Sequence, residues 1–238
     1  MTIQDNHFTK QHTLHLFDGE LEHLQSLTLA MIDLLMYQLE QAMQALEDGD
    51  MKMASKVISR DNEVNHYEIK IDSKVLEVLA RHCPVANDLR TVISTSLIAV
   101  ELEKIGDEIA NFAKLIMVLY QPRTSFPTPK LLADIVKIGH LVKTMLSQQK
   151  AEFVTGQSNE AYVLLQYDFD CENKLQEGIK HQLDFVVRDV SLIGRALDIM
   201  LIMKALERCS EHCRNIAAYM IFMIDGIDVR HDSYIVKN

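Results

Sequence analysis

Two stretches of the sequence carry the same polar pattern on otherwise apolar ground. Residues 101–113 read ELEKIGDEIANFA and residues 205–217 read ALERCSEHCRNIA. In each, one acid is followed four residues later by another, and four residues after that by an asparagine. The first set is Glu103, Asp107 and Asn111; the second is Glu207, Glu211 and Asn215. At that spacing the side chains stand above one another on a single helix face. Stacked carboxylates hold a hard cation through oxygen. Without one they repel, and some take up protons. The same spacing also occurs as plain decoration of a solvated face, and the asparagines are equally suited to bridging helices. The elements that position these groups decide between the readings.

Those elements read as helices. Glycine (8) and proline (4) are sparse, tryptophan is absent, and 48% of the residues are apolar. Leu21, Leu24, Leu27, Met31, Leu34, Leu35, Ala42 and Leu46 recur at helical spacing. Gly49 and Asp50 then supply a left-handed stop and a cap for the next helix. That second helix runs to about Arg81 and is broken at Pro84. A third runs from near Asn87 to about Tyr120. QPRTSFPTPK, with three prolines in ten residues, is the one clear linker.

After the linker the pattern restarts. Gly49 is echoed by Gly156, an offset of 107, at which Leu34 meets Leu141, Leu39 meets Leu146, Ala54 meets Ala161 and Asp61 meets Asp168. In the third helix the offset is 104, bringing Glu103 onto Glu207 and Asp107 onto Glu211. A repeat of this kind fixes the architecture. It predicts an all-α chain of two tandem antiparallel three-helix bundles, residues 1–120 and 131–238, joined by a Pro-rich linker at 121–130. The helices are expected to be about 30 residues, or 45 Å, long.

Folding the second and third helices back at Pro84 puts Asp61 level with Asp107 and Asn65 level with Glu103. In the second copy, Asp168 falls level with Glu211 and Glu172 with Glu207. Each hairpin is thus expected to face two polar pairs towards each other, a cage suited to a cation.

Other candidates fare less well. Glu20/His23 and Glu63/His66 both read Glu-x-x-His, as in di-iron bundles. Glu20 and His66 lie 29 and 17 residues from Gly49, about 18 Å apart along the axis, too far for one site. Cys209, His212 and Cys213 have the spacing of a partial zinc site, but their first-copy counterparts include Ile105 and Ile109, which marks a core face. The four cysteines make no disulfide framework. A formal net charge of -10 excludes nucleic-acid binding by charge and docking on an anionic membrane by charge alone. No leader pattern and no apolar run of about 20 residues is present, so a cytoplasmic protein is expected.

With PVANDLRTV, ELEKIGDEIANFAK, KALERCSEHCRNIAAY and DGIDVRH in place, the chain resembles the PhoU family of phosphate-transport regulators across about residues 10 to 232. The resemblance implies paired three-helix bundles and a negative regulator of phosphate uptake and phosphate-starvation signalling, not an enzyme. It implies two partners, the ATPase subunit of a phosphate ABC importer and a membrane sensor histidine kinase; contact with the membrane is expected only through these. A homodimer is also expected. Metal clusters on the acidic motifs are implied, carried onto Asp61, Glu103 and Asp107 in the first copy and Asp168, Glu172, Glu207 and Glu211 in the second. The metal is left open among iron, zinc, manganese and magnesium. Lys104 replaces the family's arginine, Asn65 costs the first cage a charge, and Ser210 and Glu211 replace glycine and aspartate. A metal-dependent hydrolase and a purely structural helical scaffold are the competing function classes.

Overall fold

A computed structural model describes the backbone of residues 5–121 and 129–230, and the side chains of these residues except 5–16, 129, 131 and 166–169. Six helices account for nearly all of it: α1 (Asp5–Asp48), α2 (Met51–His82), α3 (Ala86–Leu119), α4 (Pro129–Thr155), α5 (Asn159–Arg188) and α6 (Ile193–Asp225). A 3-10 turn at Val190–Leu192 leads into α6, and there is no strand among the described residues. Helices α1–α3 form one antiparallel bundle and α4–α6 the other.

The breaks fall where local chemistry demands them. Gly49 takes φ +67°, and a Cβ there would strike the Tyr120 ring at 2.9 Å. Asp50 then caps α2, accepting from the backbone N–H of Lys52 (2.9 Å) and Met53 (3.0 Å). The second copy reaches the same turn by another route. Gly156 has φ +66°, but Ser158 makes no side-chain cap; instead Glu152 reaches from α4 to the backbone N–H of Ala161 in the first turn of α5. Pro129 starts α4 inside the segment read as linker, a position where its missing N–H costs nothing.

The bundles share one continuous apolar core, which includes fully buried Leu35, Ile98, Ile105, Phe112, Ile199, Met203 and Met220. Each such side chain contributes roughly 1.5–3 kcal/mol by leaving water. Between bundles the contact is made by α3 against α6 and α1 against α4. Both pairings are antiparallel. Asp33 and Glu40 on α1 meet Lys150 (2.5 Å) and Lys143 (2.8 Å) on α4 in descending order. Helices α2 and α5 lie outside, packed within their own bundles.

Antiparallel pairing of α3 and α6 puts the start of each beside the end of the other. Arg90, in the NDLR stretch near the start of α3, donates to the carbonyls of Met223 (3.1 Å) and Ile224 (3.4 Å) in the last turn of α6. A cation on orphan carbonyls there complements the helix dipole. Gly226 ends α6 at φ +75°, and a Cβ on it would meet Arg90 Nη1 at 2.6 Å. The NDLR and DGID stretches are therefore one structural contact. No helix among the described residues is long and apolar enough to cross a membrane.

Candidate functional site

The first acidic signature faces α2. Gly106 is buried at the closest point, where a Cβ would lie 2.9 Å from Val64 Cγ1 and 3.4 Å from Asp61 Oδ1. The glycine between Glu103 and Asp107 thus lets α2 come close enough to deliver Asp61 to the α3 acids. Burial raises the Asp61 carboxyl above the ordinary aspartate range, and the Asp107 charge adds to this, with Lys114 opposing. Glu103 is raised likewise, by burial first and then by Asp107, Glu68 and Asp61. Asp61 on α2 and Glu103 on α3 are thus near enough to Asp107 to feel its charge across the groove between the two helices, while Asp107 itself is exposed.

Glu68 belongs to the same groove and was missed by the sequence reading. Its carboxyl is raised by burial, by Asp72 and by Asp107. Asn65 is half-buried on α2, but a helical side chain leans towards the N-terminus, so Glu68 covers the turn that Asn65 occupies. Counting back from Pro84 by residue number alone leaves out that lean.

Two oxygens in the groove, Asp61 Oδ1 and Asn65 Oδ1, are buried without a hydrogen-bond partner. Buried acceptors in that condition cost free energy. A cation would satisfy both, and hard oxygen donors are the right chemistry for it. Among the described residues, no three His, Cys, Asp or Glu side chains are gathered closely enough to grip one ion. These residues fit a cation by donor type and unmet valence, but they are not gathered into a cage.

The second signature is built differently. Glu207 is buried and paired with Lys204 at 2.5 Å. Glu172 is exposed on α5 and Glu211 is half-buried on α6; the Asp168 side chain lies outside the described residues. Ser210 replaces the glycine and turns its hydroxyl onto the Glu207 carbonyl at 2.7 Å. One acid is thus already neutralised by a lysine of its own helix.

A polar seam crosses between the signature helices. Glu101 is buried on α3, and its carboxylate contacts His212 Nδ1 at 2.8 Å and accepts from Asn215 at 3.0 Å, both on α6, and from Lys104 at 2.7 Å. These partners overcome the cost of burial and hold its pKa down at about 2. Seven residues further along α3, Glu108 takes Arg208 at 2.8 Å. Asn215 is thus a bridge between helices, whereas Asn111 donates within its own helix, to Glu108 at 3.4 Å. His212 is spent on Glu101, and Cys209 and Cys213 are wholly buried with thiols pushed well above their ordinary range by burial. That set is core and seam, not a zinc site. Glu20 likewise pairs with Lys74.

Comparison with known proteins agrees with this fold. The family model described as PhoU domain matches residues 28–116. A Pseudomonas aeruginosa protein named phosphate-specific transport system accessory protein PhoU homolog is 33% identical over 220 residues, 92% of this chain and 90% of that protein. The crystal structure of PhoU from Pseudomonas aeruginosa superposes with a TM-score of 0.82 at 32% identity, covering 89% of this chain and 100% of that one. The phosphate transport system regulatory protein PhoU from Streptococcus pneumoniae gives a TM-score of 0.80 at 25% identity, covering 90% and 99%.

Proposed function

The chain belongs to the PhoU family, and from that membership we propose that it is an accessory protein of phosphate-specific transport, a regulator rather than an enzyme. In this reading it lowers phosphate uptake and holds the phosphate-starvation response off. It does so by binding the ATPase subunit of the importer and a sensor histidine kinase, working from the cytoplasmic side as a homodimer. The relatives' names, which are those of accessory and regulatory proteins, support this over a hydrolase. So does the placement of His212, whose Nδ1 is engaged by the buried Glu101 carboxylate at 2.8 Å. Two bundles locked by a charged seam through α3 and α6 give a rigid body suited to bridging two partners.

Within that role, the groove of Asp61, Glu68, Glu103 and Asp107, with Asn65, binds a divalent cation. The single observation carrying this is the pair of orphaned oxygens on Asp61 and Asn65 beside mutually repelling carboxylates. Iron, zinc, manganese and magnesium remain the options. When bound, the ion supplies positive charge that holds α2 to α3. A second ion on Asp168, Glu172, Glu207 and Glu211 has to compete with Lys204, so it binds more weakly.

The regulatory reading is tested in cells lacking this chain. A phosphate-starvation reporter should stay on in phosphate-replete medium and fall when the chain is restored. A reporter that responds normally to phosphate without the chain would overturn it.

A further inference from the structure

The repeat places different residues one turn ahead of its two acidic signatures. At the offset of 104, Val100 of α3 corresponds to Lys204 of α6, as Glu103 does to Glu207 and Asp107 to Glu211. Lys204 meets Glu207 at 2.5 Å, and the Glu211 charge adds to the attraction. On α3 the position is a half-buried valine without charge. Lys104, beside Glu103, is turned away to Glu101 at 2.7 Å, and its counterpart Arg208 is likewise turned to Glu108 at 2.8 Å. Both of those cations belong to the seam between bundles, so Lys204 is the extra one. Lys114 opposes the Asp61 charge without an ion pair to it, and none of Asp61, Glu68, Glu103 and Asp107 makes an ion pair among the described residues.

The facing helix changes in step. Asp61, Asn65, Glu68 and Asp72 follow one another along one face of α2, and Asp72 accepts from the Ser96 hydroxyl of α3 at 2.6 Å. At the matching positions of the second copy, Glu68 gives way to Leu175, Asp72 to Ile179 and Ser96 to Met200. Leu175 is buried in the core, with Ile179 and Met200 packed against that core. One acid is gained, Glu172 at the Asn65 position, and it is exposed. Two acids have thus been withdrawn from the inner face of α5 where an ammonium has been added on α6. Glu207 itself is only 7% exposed, and a carboxylate that deep needs a cationic partner.

We propose that the Lys204 ammonium is the resident cation of the second signature, a tethered stand-in for the divalent ion of the α2–α3 groove, and that a divalent ion enters there only by displacing it. An ammonium brings one positive charge and three donors to the carboxylate oxygens that a metal would use. Its place on the same helix gives it a high effective concentration at Glu207. One duplicated unit has thus given two unlike sites. The charge balance of the first depends on free cation, and that of the second is supplied by its own sequence. The contrast rests on the cation reading of the first groove, whereas the role of Lys204 rests on its ion pair and its place in the repeat.

The test is calorimetric titration of the chelator-stripped full chain with manganese. Wild type is compared with Lys204→Val, which restores the first-copy residue, and with Lys204→Arg, which keeps the charge. Lys204 is exposed, so these variants keep the fold. Lys204→Val should take up one more ion per chain than wild type, or hold its second ion at least about tenfold more tightly, as follows when the ammonium sits on Glu207 in about nine of ten wild-type molecules. Lys204→Arg should behave as wild type, and adding Glu207→Gln to Lys204→Val should abolish the gain. Without metal, Lys204→Val should melt about 2–4 °C below wild type, and the loss should vanish in the double variant, where no buried charge is stranded. Every gain is scored against wild type, so a wild type that binds no manganese contradicts the groove reading and not this one. Equal uptake and affinity in wild type and Lys204→Val, a gain that survives Glu207→Gln, or an unchanged melting temperature without metal would overturn the proposal.

Discussion

Glu101 of α3 and His212 of α6 meet at 2.8 Å in the half-buried seam that joins the two bundles. Because Asn215 and Lys104 share the same carboxylate, this one acid ties both signature helices together. Removing it strands the α6 donors in a place that water reaches poorly.

Glu101→Ala should therefore cost about 2–4 kcal/mol, measured by urea unfolding at neutral pH. The folded pKa is about 2 against 4.5 ordinarily, so the acid's contribution is present above pH 4.5 and is lost as pH falls towards 2. Wild type should lose stability across that window more steeply than Glu101→Gln. Equal slopes would show that the seam carries no such energy.

Glu152 works in the opposite sense. It is buried, one of its oxygens has no partner, and burial raises its pKa to about 7. The folded chain therefore holds this proton more tightly than the unfolded chain between pH 4.5 and 7, and stability falls as pH rises through that window. Glu152→Gln should flatten the fall and gain roughly 3 kcal/mol above pH 7, less whatever the weaker cap on Ala161 costs. An unchanged pH profile would contradict this.

In the α2–α3 groove, Asp61, Glu68 and Glu103 are all raised. Without a cation the cost of burying them charged, increased by their mutual repulsion, opposes folding at neutral pH and eases on acidification. Asp61→Asn should thus raise the melting temperature of the cation-free chain while removing the stabilisation that added cation gives. A variant that melts lower in chelator than wild type would mean that Asp61 is held by contacts and not strained by charge.

At the α6 terminus, Gly226 needs both its positive φ and the space that Arg90 fills. Gly226→Ala should cost about 1–2 kcal/mol. Gly194 has open space around it inside a helix, and Gly194→Ala should be neutral or stabilising by up to about 1 kcal/mol. Thermal unfolding of the two variants separates them, and equal effects would refute the Arg90–Gly226 contact.

Much of this was legible because a duplicated helical pattern states its own register. Gly49, Asp50 and Pro84 marked the turns, and the level pairing of Asp61 with Asp107 followed from them. Three features were not legible. Glu68 entered the groove through side-chain lean, which residue counting ignores. Lys204 neutralised Glu207 from three residues away, a local pairing that cage geometry did not weigh. The Glu101–His212 seam depends on which face of α3 meets α6, and two helices apolar nearly all round give no sequence signal for that choice.

The most direct test is metal binding to the α2–α3 groove, measured by calorimetric titration of chelated, metal-free chain with manganese, iron, zinc and magnesium. Saturable binding of at least one of them is expected, lost in the Asp61→Asn/Glu103→Gln double variant and retained in Glu207→Gln. No saturable binding of any of the four, or a loss as large in Glu207→Gln as in the double variant, would contradict the account.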